Sequence, residues 1–473
     1  MLDNHPHVRA RLFDVFLPAS IVLALAVFAG FSAALGKVTY IVPVFIVLSI
    51  PLLLHLGQQL RFLAFLSLPI LALFQMPGLH LPLGIPPVMA VMGMLAVIEA
   101  YFWWNRGITA AAAAQPLDYL PLLLLTLGGL ISGLRNGELI RWFIFPFMFL
   151  LWFFLAKNFL RSKRDALRVF QSIFISILGY FLIVTLMRFI GHSETLNLYG
   201  ADWRLFGRGE QLSLGPISYT IWSIEFGTIA GIGSLIAVFF MLQKGLSFFW
   251  RGVLLACLGI FIYILAMVAA RGATIATAIG AIGLVTVTRR DNFRVGILLA
   301  LVGVFLIIFQ DTLLALIPSQ TIQRFLELQG DPSQVSTFQY RINLMKVTLQ
   351  GFSGHPFGAG YNYLWSVYGL DESIMYSSIL NGTGLIGAIG FVLWMTQLAV
   401  RFIINLPSQL SKRGWNYAAL GLAVWLFGCL NGLVSSSILL EPVISFMFWT
   451  TLITAYQAAH LPNVENTRAS NQG

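Results

Sequence analysis

The sequence predicts an all-α protein that crosses a membrane many times. Of its 473 residues, 58% are hydrophobic and 10% are charged, whereas soluble globular chains carry about 25% charged residues. The apolar residues gather in repeated runs of about 20, the length that an α-helix needs to cross the hydrocarbon core of a bilayer. Polar breaks divide these runs into fourteen candidate spans, so we expect a bundle of 12 to 14 transmembrane helices.

The candidate spans follow one another along the whole chain. They cover residues 15–36, 38–57, 62–76, 87–104, 118–134, 142–157, 168–190, 217–242, 251–270, 272–288, 295–317, 376–401, 416–438 and 443–459. Spans 62–76 and 142–157 are short enough to be tilted or re-entrant, which is why twelve crossings remain an alternative. No small-residue cleavage site follows the first run, so we expect it to be a retained helix and not a signal peptide.

The basic residues support one orientation of these spans. With the N-terminus inside, 18 of the 28 Lys and Arg residues fall in the cytoplasm and 10 fall outside. The tight clusters "RSKR" (161–164) and "TRRDNFR" (288–294) both fall inside, as the positive-inside rule requires. Basic cytoplasmic loops account for the net charge of +10. No basic run is interleaved with aromatics, as binding of single-stranded nucleic acid would need. We expect both termini in the cytoplasm and no nucleic-acid partner.

Two of the predicted outer loops are long, about 191–216 and 318–375. The second contains the helix-like stretches "TIQRFLEL" and "QYRINLMKVTLQG", separated by the turn-forming "QGDPS". A loop of this length without a span is usually functional. We therefore expect one membrane domain over residues 1–473, with a small helical periplasmic domain inserted at 318–375.

A single charge, Arg271, interrupts an apolar run of 37 residues, 252–288. One helix of that length would extend about 56 Å, about twice the thickness of the hydrocarbon core. The run must therefore fold back at "AARGA", where Gly272 can supply the turn, and Arg271 comes to the outer end of a helical hairpin. Arg271 either extends to the outer headgroups or faces a cavity and holds an anion.

Further arginines are predicted on the same side of the membrane. Arg204 and Arg208 flank "LFG" in the first long loop, and Arg341 opens a helix-like stretch in the second. The guanidinium group binds phosphate oxygens with two parallel hydrogen bonds. An outer cavity lined by arginines would therefore suit a diphosphate.

An ordered set of motifs surrounds these arginines. Arg341 is followed by the turn "GHPFGAG" with Pro356, Gly358 and Gly360, then by Tyr376 and by Gly384-Leu385-Ile386-Gly387. Upstream lie "RLFG" at Arg204 and "AARGA", whose arginine precedes Arg341 by 70 residues. Taken in order, these motifs resemble the O-antigen ligase and O-antigen polymerase superfamily of bacterial membrane glycosyltransferases. The resemblance covers roughly residues 200–391.

The resemblance implies a GT-C-like bundle and a metal-independent, inverting glycosyltransferase of the bacterial inner membrane with a periplasmic active site. Such an enzyme takes glycan from an undecaprenyl-diphosphate donor and passes it to a glycan or lipid-linked acceptor during surface polysaccharide biosynthesis, of O-antigen or exopolysaccharide. The arginines would stabilise the departing diphosphate. The candidate substrate contacts are Arg204, Arg208, Arg271, Arg341, His355 and Tyr376. We expect no cofactor and no metal, and a flippase or chain-length regulator is a candidate partner.

One departure from the family pattern bears on the activity. The family's ligases carry a His-Asn pair just before the tyrosine, where this chain has Ser373 and Ile374. Asp371 and Glu372 lie immediately upstream and are candidate bases for the acceptor hydroxyl, or else solvated loop carboxylates. His355 is a second candidate, or a structural residue of its turn.

The missing pair favours a polymerase over a ligase that attaches glycan to lipid A-core. A different class of function, a transporter of lipid-linked oligosaccharides, would share the spans and the arginines. It should also show pseudo-repeated halves, which are not evident in this sequence.

The orientation can be tested by cysteine labelling in a background with Cys257→Ser and Cys429→Ser. Asn197→Cys, in the first long loop, should react with a membrane-impermeant maleimide in intact spheroplasts. Asn292→Cys, in the cluster "TRRDNFR", should react only after the membrane is permeabilised. The opposite pattern at either position would invert the predicted topology.

Overall fold

The computed structural model of the chain describes residues 58–73, 87–105, 118–137, 139–195, 210–214, 217–243, 246–268, 270–288, 336–360, 363–368, 374–410 and 416–461. The chain divides into two compact units, Met1–Gln115 and Pro116–Gly473. The single membrane domain and the exact limits of its inserted loop stay predictions.

The described part of the first unit consists of helices α1 (Gln58–Ala72) and α2 (Pro87–Asn105), which pack together. Each contributes one charge to their contact: Arg61 Nη1 lies 3.0 Å from Glu99 Oε1, and both side chains are largely buried. The Arg61 guanidinium also lies over the Phe102 ring, 4.0 Å from its centroid. Charges among apolar helices are kept by pairing of this kind.

The second unit is predominantly helical. Its helices are α3 (Leu120–Asn136), α4 (Leu139–Phe159), α5 (Lys163–Ile190), α6 (Ser223–Met241), α7 (Phe248–Met267), α8 (Arg271–Thr288), α9 (Ser336–Gly354), α10 (Tyr363–Tyr368), α11 (Met375–Leu410), α12 (Tyr417–Gly432), α13 (Ser437–Leu440) and α14 (Pro442–His460). Among the described residues, five helices are long and apolar enough to cross a membrane: α5, α6, α7, α8 and α11. The chain is a polytopic helical membrane protein, as predicted.

Two predicted spans are shorter than expected. The span 217–242 begins as a strand and becomes helical only at Ser223, because "ISYTI" alternates in the period of a strand although its hydropathy resembles that of a helix. The span 416–438 ends at Gly432 and is followed by a turn and the short helix α13. Three other predicted spans, 15–36, 38–57 and 295–317, lie outside the described residues, so the number of crossings stays a prediction.

Part of the first long loop forms a small antiparallel sheet. Its strands β1 (His192–Thr195), β2 (Glu210–Leu214) and β3 (Ile217–Ile221) lie in that order, with Thr195 opposite Glu210. Glu210 is 2% exposed, and its Oε1 lies 3.6 Å from Nε of Arg188 in the last turn of α5. This ion pair fastens the sheet to the end of α5.

Helix ends that the sequence predicts to be cytoplasmic meet at one end of the second unit. Asp118 Oδ2 lies 3.8 Å from Lys157 Nζ at the end of α4, and Asp118 Oδ1 lies 3.3 Å from Arg401 Nη2 in α11. The Tyr417 hydroxyl, at the start of α12, donates to Lys163 O at the start of α5, 2.6 Å away. The predicted outer ends therefore belong to the other end of the bundle, which carries the sheet and α9.

Helices α3 and α11 pack unusually closely, through glycines. A Cβ on Gly128 would lie 2.6 Å from Gly387 Cα, and a Cβ on Gly390 would lie 2.5 Å from Leu125 N. Larger residues at these positions would force the backbones apart. Small residues serve this purpose at helix contacts in membranes, as the sequence "NGTGLIGAIG" (381–390) predicts.

The motif turn "PFGAG" (356–360) is inserted into a break in α11. At Gly384 the backbone leaves the helix (φ 64°, ψ −166°), and the groups on either side of the break find partners in the turn. Leu385 N donates to Pro356 O (2.8 Å), while Ala359 N and Gly360 N donate to Asn381 O (2.8 and 3.2 Å). Two motifs that are separate in sequence therefore form one structural unit.

Helices α9 and α10 pack on the start of α11 through a small apolar core. Leu344, Val347, Leu364 and Ile374 are its buried members. A hydrogen bond between Thr348 Oγ1 and Ser377 Oγ (2.6 Å) adds a polar contact between α9 and α11. The stretch "QYRINLMKVTLQG" is helical as predicted, whereas "TIQRFLEL" lies outside the described residues.

The inserted turn predicts a difference between two glycine substitutions. Gly137 (φ 71°) has open space around its missing Cβ, so Gly137→Ala should lose only about 1 kcal/mol from its left-handed backbone. A Cβ on Gly384 would overlap Phe357 and Gly358 in a backbone region open essentially to glycine. Gly384→Ala should lose about 3 kcal/mol or more.

Thermal unfolding of the two purified variants in detergent measures this difference. Equal losses for the two variants would show that the turn is not held at the break in α11.

Candidate functional site

A short turn after the C-terminal end of α12 is the centre of the candidate site. We call residues 433–436 the Val434 turn. Val434 N and Ser435 N both donate to Asn431 O, at 2.9 and 2.8 Å. These bonds close the end of α12 and hold the turn, while the carbonyl oxygen of Val434 accepts from a side chain of another element.

Arg341 and Arg271 meet at this turn. Arg341, near the start of α9, donates from Nη2 to Val434 O at 3.3 Å. Arg271 is the first residue of α8, and a Cβ on its neighbour Gly272 would overlap the Val434 side chain, so the start of α8 packs directly on the turn. The fold therefore joins two arginines that are 70 residues apart in sequence.

The predicted interruption between two helices at Arg271 is confirmed, but the role expected for Gly272 is wrong. Helix α7 ends at Met267 and α8 begins at Arg271. Gly272 lies inside α8 without a positive φ, so it does not supply the turn; its missing side chain instead makes room for Val434. Helices α7 and α8 both pack mainly against other helices and hardly against each other, so they are not a tight hairpin.

The charge of Arg341 is held differently from that of three other arginines in the described residues. Arg61, Arg188 and Arg401 each lie within 4 Å of a carboxylate. The hydrogen bond from Arg341 goes to a neutral carbonyl, and among the described residues no carboxylate forms an ion pair with Arg341. Burial and the nearby charge of Arg271 lower the pKa of the Arg341 guanidinium.

These features together make a positively charged site. The first turn of α8 adds the partial positive charge of a helix N-terminus. Guanidinium groups and a helix N-terminus that lie close together attract anions. An anion bound at these arginines stays a prediction.

Tyr376 lies beside the Val434 turn, with its hydroxyl donating to Cys429 O of α12 at 3.1 Å. Its neighbour Met375 packs on Gly432, where a Cβ would lie 2.5 Å from Met375 Cε. The structure thus places Tyr376 near the arginines and shows its hydroxyl bonded to α12. A contact of Tyr376 with substrate stays a prediction.

His355 is not brought to the arginines. It follows the C-terminal end of α9, about 20 Å along the helix axis from Arg341. Its ring packs edge-on against Tyr363, with centroids 4.9 Å apart, and Gly358 N donates to its carbonyl at 2.9 Å. These contacts agree with the structural alternative for this residue.

Four predicted site residues lie outside the described residues: Arg204, Arg208, Asp371 and Glu372. Their neighbours are described. Arg204 and Arg208 belong to the connection that leaves the sheet at the pair Thr195 and Glu210. Asp371 and Glu372 belong to the connection from α10 to α11.

Glu441 differs from the solvated carboxylate that its position suggests. Its Oε1 accepts from the Tyr219 hydroxyl of β3 at 2.9 Å, and its Oε2 accepts from Ile444 N at 2.7 Å, which caps α14. Burial raises the pKa of the Glu441 carboxyl, and burial together with the charge of Glu441 raises the pKa of the Tyr219 hydroxyl. Glu441 therefore joins the sheet to the N-terminal end of α14.

A buried polar network supports the Val434 turn and was missed at the sequence level. It joins Thr228 of α6 to Asn431, Ser435 and Ser437. The polar run "NGLVSSS" (431–437) is the signal that could have revealed it. Hydropathy averaged over a whole span conceals the four polar side chains among these seven residues.

Comparison with known proteins leaves the family open. No protein-family model matches the sequence, and no curated protein matches it. Among solved structures, the chain is similar to one from work on the structural coordination of polymerization and crosslinking by a peptidoglycan synthase complex. The match has a TM-score of 0.38 and 17% identity, and it covers 72% of this chain and 96% of that chain.

The contacts of Glu441 predict how its variants differ in stability. Glu441→Ala removes a helix cap, a loss of about 1 kcal/mol, and leaves a buried Tyr219 hydroxyl without its acceptor, a further loss of about 1–3 kcal/mol. Glu441→Gln keeps an acceptor for Tyr219, so it should lose less than half as much free energy of unfolding as Glu441→Ala loses. Thermal unfolding in detergent measures both variants. A Glu441→Ala variant as stable as the unchanged protein would contradict the anchoring role.

Proposed function

We propose that the chain is an inner-membrane glycosyltransferase that extends a glycan carried on undecaprenyl diphosphate, with its active site at the periplasmic face. The observation that carries the proposal is the meeting of Arg271 and Arg341 at the Val434 turn. A diphosphate is the anion for which two guanidinium groups and a helix N-terminus are suited, since each can bind phosphate oxygens.

The proposed reaction is an inverting transfer that uses no metal. The acceptor hydroxyl attacks the anomeric carbon of the donor sugar, and the bond from that carbon to the diphosphate oxygen breaks. Negative charge grows on the departing diphosphate, where Arg271 and Arg341 stabilise it more strongly than in the ground state. Asp371 or Glu372 takes the proton of the acceptor hydroxyl as general base.

The arrangement of the motifs supports the family resemblance. The turn that contains Pro356, Gly358 and Gly360 fills the break at Gly384. Tyr376 bonds a carbonyl near the end of α12, and Arg341 bonds a carbonyl just beyond that end. Motifs that share one structural unit have a physical reason to occur together. This supports the resemblance to O-antigen ligases and polymerases in the region from Arg271 to Gly387.

A polymerase is the form of the activity that we favour. Where the family's ligases carry the second residue of their His-Asn pair, this chain has Ile374, which is 2% exposed and packs with Leu344, Val347 and Leu364. An apolar core contact there supports an acceptor site different from that of a lipid A-core ligase. The donor and the growing glycan are then the substrates, and a flippase or chain-length regulator is a proposed partner.

The proposal predicts the activity of variants in liposomes that contain only this protein and a glycan on undecaprenyl diphosphate. Arg271→Ala and Arg341→Ala should each slow chain extension about 100-fold or more, because each removes a donor to the departing charge. Arg135→Ala and Lys346→Ala, exposed cations on α3 and α9, should stay within about twofold of the unchanged protein. Extension should continue in EDTA.

Gel analysis of the extended glycan measures the covalent product, which a transporter would not form. The assignment fails if Arg271→Ala and Arg341→Ala extend the glycan at full rate.

A further inference from the structure

We infer that Thr228, Asn431 and Ser437 are positioning residues, which fix the Val434 carbonyl and through it the guanidinium of Arg341. The inference rests on the proposed function, because it assigns a role in diphosphate binding to residues that do not touch the diphosphate. Its starting point is the bond from Arg341 Nη2 to Val434 O at 3.3 Å. Any movement of that carbonyl moves the guanidinium with it.

Asn431 holds the turn by its backbone and holds α6 by its side chain. Its carbonyl accepts from Val434 N and Ser435 N, while its Nδ2 donates to Thr228 Oγ1 at 3.2 Å. One residue thus connects the Val434 turn to a neighbouring transmembrane helix. The position of the turn relative to α6 depends on this amide.

The hydroxyl groups of the network have one consistent direction of donation. Thr228 donates to Ile224 O at 2.8 Å within α6, so its oxygen is left to accept. It accepts from Asn431 Nδ2 and, at 3.2 Å, from Ser437 Oγ. Ser437 in turn accepts from Ser435 Oγ at 2.8 Å, and Ser437 N donates back to Ser435 Oγ at 3.1 Å. A hydroxyl oxygen has two acceptor sites, and Thr228 uses both.

Burial makes this arrangement rigid. Thr228 and Asn431 are 0% exposed, Ser435 is 4% exposed and Ser437 is 6% exposed. A buried polar group that loses its partner is not compensated by water, so alternative arrangements of the turn are disfavoured. Asn431 Oδ1 is the one polar side-chain atom of these four residues without a hydrogen-bond partner in the described part of the chain, and the bonds that do form hold the turn in one geometry.

The consequence concerns how Arg341 meets its ligand. A guanidinium has five N–H donors in one plane, and the Val434 carbonyl takes one of them. With one donor fixed, the guanidinium plane has fewer orientations, so its other N–H groups are already positioned when the diphosphate binds. Catalytic groups need placement within about 0.5 Å, and misplacement by about 1 Å can lower a rate about 100-fold.

The test is a double-mutant cycle on chain extension in liposomes. Thr228→Val removes the acceptor of Asn431 and Ser437 with little change in shape. It should lower kcat/KM for the lipid-diphosphate donor about 10- to 100-fold, and Thr228→Ser should restore most of the loss. The matched control is Thr451→Val, at a 0% exposed threonine of α14 whose hydroxyl donates within its own helix to Met447 O. It should stay within about twofold of the unchanged protein.

The cycle separates positioning from general structural damage. In an Arg341→Ala background, Thr228→Val should change kcat/KM by less than about twofold, because the residue that it positions is gone. The same fold-loss in both backgrounds would overturn the inference while leaving the proposed function intact. Full activity of Arg341→Ala alone would overturn the proposed function. If Thr228→Val is not recovered folded, Ser437→Ala goes through the same cycle with the same two outcomes.

Discussion

Backbone polar groups among membrane helices must find partners inside the protein, and this requirement organises the described structure. At the end of the bundle that carries the sheet, α11 is broken at Gly384 and α12 ends at Gly432. Each interruption leaves backbone groups that a distant segment satisfies. The "PFGAG" turn serves the break in α11, and Arg341 bonds a carbonyl just beyond the end of α12. The same rule thus fastens both ends of α9 to the membrane helices.

At the candidate site, the contact that positions the Arg341 guanidinium is a hydrogen bond to a neutral group and not an ion pair. In the ion pairs of Arg188 with Glu210 and of Arg401 with Asp118, one contact both places and neutralises the guanidinium. At the Val434 turn, a backbone carbonyl positions Arg341, and no carboxylate of the described residues is paired with it. A polar network behind the carbonyl supplies the stiffness that an ion pair would otherwise supply. This arrangement suits the diphosphate that we propose as ligand, because a carboxylate paired with Arg341 would compete with it.

The parts of the structure that depend on local pattern were predictable from sequence. Hydropathy located the helices, and the length of the run 252–288 required the break at Arg271, because a bilayer has a fixed thickness. The misses have physical causes as well. Strand β3 and the Val434 turn are apolar enough on average to pass as parts of spans. The roles of Gly272, Glu441 and Thr228 depend on residues from other helices, which spacing along one chain does not reveal. The assignment of Asp371 or Glu372 as the candidate base rests on the sequence, because both lie outside the described residues.

The fastening of α9 at both ends has a consequence for how the chain can vary in length. Arg341 and Pro356 are joined almost entirely by helix, so their separation is a rigid rise of about 22 Å. One inserted residue would lengthen that rise by about 1.5 Å and rotate one end by about 100° relative to the other. Neither the carbonyl of Val434 nor the break in α11 can follow such a rotation. Changes of length in this loop are therefore confined to the stretches on either side of α9, and the helix itself acts as a spacer of fixed length.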